Sequence, residues 1–201
     1  MINVHAFDFD GTITRCDSLI AFIRYAAGDV RTVMGFALYS PLIVLMKLHL
    51  YSNGRCKERL FSHFFKGMKL CEFDRICHGF ASLHDDIIRP KAMNHIRQLL
   101  MRGDRVIVVS ASIDNWVTPF FAPTEHETGC SVTVAGTRLE VKGDVLTGRF
   151  ATPNCYGEEK VRRLEALLPD RKDVSLTAYG DSRGDKEMFE YADQRYFKPF
   201  E

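Results

Sequence analysis

The chain opens on an apolar run, Val4-His5-Ala6-Phe7, which leads into Asp8-Phe9-Asp10-Gly11-Thr12. A strand that ends at a glycine turn fits this pattern. The pattern then switches to helical spacing. Asp17-Ser18 offers an N-cap, and Leu19, Ile20, Phe22, Ile23, Ala26 and Ala27 follow as a helix face up to Gly28. Tyr51-Ser52-Asn53-Gly54 reads as a turn. Leu60, Phe61, Phe64 and Phe65 form the next face, closed by Gly67, and Phe73, Ile76, Cys77, Phe80 and Ala81 form another. Residues 15–86 are thus predicted to be helical, with no strand pattern.

Beyond this block, helices and strands alternate. Pro90 starts a helix whose apolar face is Ala92, Ile96, Leu99 and Leu100, and Gly103 ends it. Arg105–Ser110 is rich in β-branched residues and reads as a buried parallel strand. Trp116–Phe121 reads as helix and Cys130–Thr137 as strand. Leu139–Val141 and Val145–Thr147 flank Lys142-Gly143-Asp144 as a hairpin. A helix with Val161, Leu164, Leu167 and Leu168 on one face precedes the strand Ser175–Tyr179. A short helix from Asp185 and an edge strand at Arg195–Phe197 complete the series. Alternation of this kind predicts an α/β fold, a Rossmann-like parallel sheet in three α/β/α layers. The helical block is an insertion into it. The expected division is a core of residues 1–14 and 87–201 with an all-helical cap domain at 15–86.

A length of 201 residues suffices for such a core and insertion. The formal net charge of +1 gives no electrostatic case for a nucleic-acid partner. The six cysteines show no Cys-x-x-Cys pair or zinc spacing, and free buried thiols in a reducing cytoplasm are expected. No signal peptide is expected, since the chain enters a strand at once. Val33–Met46 carries no charge. It falls short of the roughly 20 residues that cross a bilayer. Lys47 and His49 end it, and Pro41 is expected to break or kink it. A buried helix pair is one expectation. The other is an apolar surface that meets lipid or a greasy substrate.

Alternate residues of a strand face one way, so Asp8 and Asp10 project together from the strand end. Two such carboxylates are costly together unless a cation or a shared proton compensates. One can attack an electrophile while the other handles protons, the requirement of covalent phosphoryl chemistry with a metal. Ligands in parallel sheets bind beyond the carboxyl ends of the strands. Polar groups that could converge there are Asp8, Asp10 and Thr12, then Ser110, Ala111 and Ser112, then Lys160, then Gly180 to Asp185.

In this order the groups resemble the motifs of the haloacid dehalogenase superfamily, composed mostly of phosphatases. Asp8-Phe9-Asp10-Gly11-Thr12 matches its Asp-x-Asp-x-Thr, Ser110 its strand-ending Ser or Thr, Lys160 its Lys, and Gly180-Asp181 with Asp185 its acidic pair. A helical cap between the first two motifs is similar to the branch of phosphoserine phosphatases and of a bacterial phosphatidylglycerophosphate phosphatase. The chain has Ser110-Ala111-Ser112 where phosphoserine enzymes usually have Ser-Gly-Gly, and Asp17 where they usually have a substrate-binding Glu; both departures weigh against phosphoserine, and a phosphoserine phosphatase is the alternative reading.

The resemblance implies that Asp8 is the nucleophile and Asp10 the general acid and base. It implies Mg²⁺ held by Asp8, the Asp10 carbonyl and Asp181, supported by Asp185. Thr12, Ser110, Ala111 and Lys160 are implied to bind the phosphoryl group. The expected partner is a lipid phosphate or a small phosphorylated metabolite, and the charge-free Val33–Met46 adds the expectation of peripheral membrane contact there, for a cytoplasmic enzyme at the inner face of the membrane. Dehalogenation needs neither Asp10 as acid nor a metal site. A mutase would pass the phosphoryl group to a second alcohol. A non-catalytic phospho-accepting domain of the receiver kind would have no use for Asp10.

Overall fold

The computed structural model describes residues 2–201. Five strands form one parallel sheet in the order β3-β2-β1-β6-β7, with β1 (Ile2–Phe7) at its centre. Its neighbours are β2 (Arg105–Ile113) and β6 (Val174–Gly180), and β3 (Thr133–Thr137) and β7 (Gln194–Phe197) lie at the edges. Alternation along the central strands sorts their side chains to two faces. Val4, Ala6, Ile107, Val109, Leu176 and Ala178 pack with Leu164 and Met188 of α8 (Glu158–Leu167) and α9 (Lys186–Tyr191). Phe7, Val106, Val108 and Tyr179 face the other way, onto Ala92, Ile96, Leu99 and Leu100 of α5 (Pro90–Met101). The three layers expected from the alternation are present.

The inserted helices are α1 (Ser18–Ala27), α2 (Asp29–Lys47), α3 (Asn53–Phe65) and α4 (Leu70–Leu83). Phe22, Phe61, Phe65, Phe73 and Phe80 bury one apolar side of this unit against Trp116, so these aromatics are core. Trp116 stacks on Phe22 at 4.7 Å between ring centroids. It lies on α6 (Asp114–Val117), which continues through a 3₁₀ turn into α7 (Ala122–Thr128). The two connections to the core run side by side. Arg15 N donates to Ile87 O at 2.8 Å, and Arg89 N to Ile13 O at 2.8 Å.

Three expectations need correction. Tyr51–Gly54 is not a free turn: Ser52 caps α3, which begins at Asn53. The hairpin of β4 (Leu139–Lys142) and β5 (Val145–Phe150), counted with the core by sequence order, reaches across to the cap. Gly67 N donates to Leu146 O and Leu146 N to Met68 O, each at 2.9 Å, and Phe150 N donates to Glu58 Oε1 at 3.0 Å. Of the cysteines, Cys56, Cys77 and Cys155 are buried, but Cys16 and Cys71 are exposed.

The buried helix pair is the fourth correction. Residues 29–47 form one helix that runs through Pro41. Proline removes the amide that would bond the carbonyl four residues back. Ser40 Oγ donates to that carbonyl, Ala37 O, at 2.8 Å and takes its place. Only Thr32 and Gly35 of the helix are buried. A Cβ on Gly35 would lie 2.3 Å from Phe64, so glycine is what lets α2 approach α3 there. Val30, Val33, Met34, Leu38, Val44 and Leu45 point to solvent. At 19 residues, α2 is long and apolar enough to cross a membrane by length and composition.

Candidate active site

Asp8 follows the last residue of β1, and its amide donates to Tyr179 O of β6 at 2.9 Å, which continues the strand pairing by one step. The carboxylate therefore emerges at the carboxyl edge of the sheet. Asp181 follows the end of β6 on the adjacent strand, and Asp185 lies in the 3₁₀ turn behind it. Lys160 comes from the first turn of α8 and is buried. Its Nζ lies 2.7 Å from Asp8 Oδ1 and 2.6 Å from Asp185 Oδ1.

Asp185 is fixed by more than this contact. Its Oδ2 accepts the amides of Asp181 at 3.2 Å and Ser182 at 3.0 Å, and the Ser182 hydroxyl at 3.1 Å. The side chain thus shapes the loop that carries Asp181. Gly11 is needed on the facing side. It sits at φ +80°, and a Cβ there would lie 2.4 Å from Asp181 Oδ2.

Electrostatics follow from burial. Burial pushes the Asp8 carboxyl up, and the Lys160 ammonium pulls it back down. Burial also works against the Lys160 charge, but Asp8 and Asp185 outweigh it and hold the ammonium above its usual value. Asp181 is raised by burial and by Asp185.

Oxygens of Asp8, Asp181 and Asp185 lie within 4.8 Å of one another. This set offers only hard oxygen donors, with three carboxylates against one ammonium. A small divalent cation such as Mg²⁺ fits that chemistry. The Asp10 side chain lies apart from the cluster, so the fit to Asp10 concerns its backbone carbonyl alone. Asp10 Oδ1 accepts Ser18 N at 2.7 Å, and Oδ2 accepts the Ser112 hydroxyl at 2.5 Å.

Ser110 is fully buried, and its Oγ accepts Ser112 N at 3.0 Å, which leaves its own proton to donate. Regular pairing of β2 with β3 breaks between Val109 and Ile113, so Ser110, Ala111 and Ser112 occupy an irregular stretch at the rim. Thr12 departs from the phosphate-binding expectation. It is buried, and its hydroxyl donates to Asp181 Oδ1 at 3.2 Å, so it orients a carboxylate instead.

A cavity of about 510 Å³ extends from Asp8, Asp10 and Lys160 into the cap, where Phe36, Ile43 and Met46 of α2 line it. Ala111, Asp17 and Lys57 also border it. Asp17 caps α1 through Leu19 N at 2.9 Å. Glu158 and Glu159 pair with Arg162 and Arg163 on their own helix and do not reach the carboxylate cluster.

Sequence reasoning gave Ser112 no settled role and placed Trp116 in a helix. The signal for Ser112 was its two-residue spacing from Ser110, which puts both hydroxyls on one face of a strand. The partner of Ser112, Ser18, carried no local signal, because only the cap's return to the core brings it there.

A sequence profile of the haloacid dehalogenase-like hydrolases matches residues 6–190. Protein CicA of Caulobacter vibrioides is 33% identical over 198 residues, which covers 97% of this chain and 85% of that protein. Among solved structures, a Bordetella pertussis protein described as of unknown function aligns with a TM-score of 0.78 at 19% identity, over 97% of this chain and 89% of that one. A phosphoserine phosphatase solved as a phospho-aspartyl intermediate analogue aligns with a TM-score of 0.63 at 20% identity, over 96% and 85%. These two likenesses concern the fold. The profile match spans most of the sequence and reaches further: the chain belongs to the haloacid dehalogenase-like hydrolase family.

Proposed function

We propose that this hydrolase is a Mg²⁺-dependent phosphomonoesterase that works through an aspartyl-phosphate on Asp8. The observation that supports the reading best is the buried Asp8–Lys160–Asp185 contact set beside Asp181, at the closed end of a cleft that Asp10 also borders. A carboxylate oxygen of Asp8 attacks phosphorus, and the bond from phosphorus to the alcohol oxygen breaks. Asp10 gives its proton to that departing oxygen. Asp10 then takes a proton from water as the water oxygen attacks the aspartyl-phosphate, which releases inorganic phosphate and restores Asp8. Ser110 donates to a phosphoryl oxygen, and Lys160 offsets the charge of the group. Bound at Asp8, Asp181 and the Asp10 carbonyl with Asp185 behind, Mg²⁺ would neutralise charge so that a phosphate dianion can approach a carboxylate.

The apolar end of the cleft supports a substrate whose alcohol carries a hydrocarbon tail, such as a lipid phosphate. The outward face of α2 supports contact with an anionic bilayer surface. Its apolar side chains are exposed, and residues 24–59 hold six Lys and Arg against two acidic residues. The free thiols fit a cytoplasmic enzyme at the inner face of a membrane. A phospho-accepting signalling domain is less well supported, because it has no use for an acid held at Asp10.

The test is hydrolysis of p-nitrophenyl phosphate and a series of alkyl phosphates, with Mg²⁺ and with EDTA. Asp8→Asn abolishes all turnover while the fold survives. Each buried methylene contributes about 0.8 kcal/mol, so kcat/KM rises roughly fourfold per carbon until the cleft is filled. Full activity of Asp8→Asn refutes the nucleophile. Phosphoserine turned over better than the long alkyl phosphates refutes the tail. Failure to sediment with vesicles rich in anionic lipid refutes the surface contact.

A further inference from the structure

Asp10 is held by one group from the cap and one from the core. Ser18 begins the first cap helix, and its amide donates to Asp10 Oδ1 at 2.7 Å. Ser112 lies on β2 of the core, and its hydroxyl contacts Asp10 Oδ2 at 2.5 Å. The two serine hydroxyls are 3.0 Å apart, and Trp116 Nε1 lies 3.1 Å from Ser18 Oγ. Ser18, Ser112 and Trp116 are all buried, so no bulk water competes for these groups.

Donor chemistry fixes the direction of the series. An indole N–H only donates, and an ionised carboxylate only accepts. Once Asp10 is ionised, Trp116 therefore donates to Ser18 Oγ, Ser18 donates to Ser112 Oγ, and Ser112 donates to Asp10. Each hydroxyl proton has one use. With Ser18 N on one oxygen and Ser112 Oγ on the other, the carboxylate rotation is set. The two donors also stabilise the anion that Asp10 becomes when it gives up its proton.

We propose that Ser112, oriented by Ser18 and Trp116, is a positioning residue that holds Asp10 for proton transfer to the departing alcohol. The inference rests on the phosphatase reading and adds to it. It gives a role to the second serine of Ser110-Ala111-Ser112, which the family motifs leave open. It also ties the acid to the cap. Trp116 stacks on Phe22 at 4.7 Å, and Ser18 lies just past the connection between the units, so a misplaced cap would lose both anchors of the relay.

Leaving-group dependence separates this role from a structural one. A departing alkoxide needs the proton, whereas p-nitrophenolate departs readily without it. kcat/KM covers only the first chemical half, up to the aspartyl-phosphate. For Ser112→Ala we expect kcat/KM for an alkyl phosphate to fall about tenfold to a hundredfold, and that for p-nitrophenyl phosphate to fall less than about threefold. Ser18→Ala leaves the Ser112 hydroxyl on Asp10 without its anchor, and shifts the ratio the same way by a smaller factor. Ser112→Thr restores part of the alkyl activity. Fluorescence of Trp116, the one tryptophan in the chain, and the thermal midpoint report whether each variant folds.

Equal losses on both substrates in a folded Ser112→Ala protein overturn the proposal, as does an unchanged alkyl-to-aryl ratio. If Ser112→Ala fails to fold, the same comparison on Ser18→Ala decides. A wild-type protein that hydrolyses neither phosphate refutes the phosphatase reading, and this inference falls with it. An active wild type whose substrate ratio survives both variants refutes the relay alone.

Discussion

Lys160→Met tests the centre of the site without touching a carboxylate. The ammonium bridges Asp8 at 2.7 Å and Asp185 at 2.6 Å, with side chains 2%, 9% and 0% exposed. At an effective dielectric of about 20, each contact carries roughly 6 kcal/mol of attraction. Most of this is offset by the desolvation of three buried charges. Methionine nearly preserves the length and volume of the lysine stem, so little packing is lost. What remains is two buried carboxylates without their cation. Breaking a buried pair in this way costs about 3–5 kcal/mol.

The pH dependence follows from the same geometry. Burial already raises the Asp8 carboxyl, and the variant lacks the ammonium that pulls it down. A raised folded pKa means that the folded chain keeps a proton the unfolded chain has released. The stability so gained is present at low pH and is lost as pH rises through the folded pKa. The deficit of the variant should thus be largest near pH 8 and shrink toward pH 6. Urea unfolding followed by Trp116 fluorescence, in EDTA, measures it. Mg²⁺ added at pH 8 should return part of the deficit, because a dication takes over the neutralisation. Turnover should fall at least about a hundredfold through lost electrostatic stabilisation. A deficit under about 1 kcal/mol in EDTA at pH 8, or one that grows on acidification, refutes the reasoning.

Gly11→Ala would force a Cβ to 2.4 Å from Asp181 Oδ2 at a backbone angle of +80°. It should weaken Mg²⁺ activation at least tenfold, read from the metal concentration for half-maximal rate, and an unchanged value refutes the close-approach argument. On the sheet face that packs on α5, Tyr179 Oη lies 3.1 Å from His5 Nδ1 and 3.1 Å from His95 Nε2, and burial lowers both imidazoles from 6.5. Lowered histidines leave stability intact above the unfolded value and remove it as pH falls below about 6.5. His95→Leu should flatten the loss between pH 7 and 5.5 in denaturant titrations, and an unaltered slope counts against the assignment.

The catalytic end of the molecule was legible because its signals are local. Asp8 and Asp10 share a strand end, Gly11 follows them, Asp181 sits where a strand ends and Lys160 where a helix starts, with Ser110 at the end of the regular pairing of β2. Periodicity gave α5 and its four buried residues without error, since Pro90 and Gly103 bracket them. Local signals failed where tertiary partners decide. Pro41 predicted a break, but Ser40 satisfies the orphaned carbonyl and the helix continues. The absence of charge in Val33–Met46 suggested burial, yet a charge-free stretch shows only that water is poorly bound there. Whether another surface covers it depends on the rest of the chain, and within the stretch only Gly35 is buried. The hairpin pattern at 139–150 was read correctly as a hairpin, but no residue in it states that it would pair with Met68.

The two sides of the cap carry different duties, and their attachment differs accordingly. At the near side, the paired connections at residues 13–15 and 87–89 and the Ser18–Asp10 contact tie the first cap helix to Asp10, the proposed general acid. Any motion there would disturb proton transfer. At the far side, α2 borders the apolar end of the cleft through Phe36, Ile43 and Met46 and buries little else. A segment with few buried contacts opens at low free energy. On the proposed reading, an enzyme that admits a bulky tail while it keeps its acid in place should yield at this side, which puts substrate entry along α2 rather than at the connections. The exposed apolar face of the same helix then has a consistent use. On the proposed reading, a tail that leaves a membrane would meet the exposed apolar side chains of α2 first and then Phe36, Ile43 and Met46 of the same helix in the cleft.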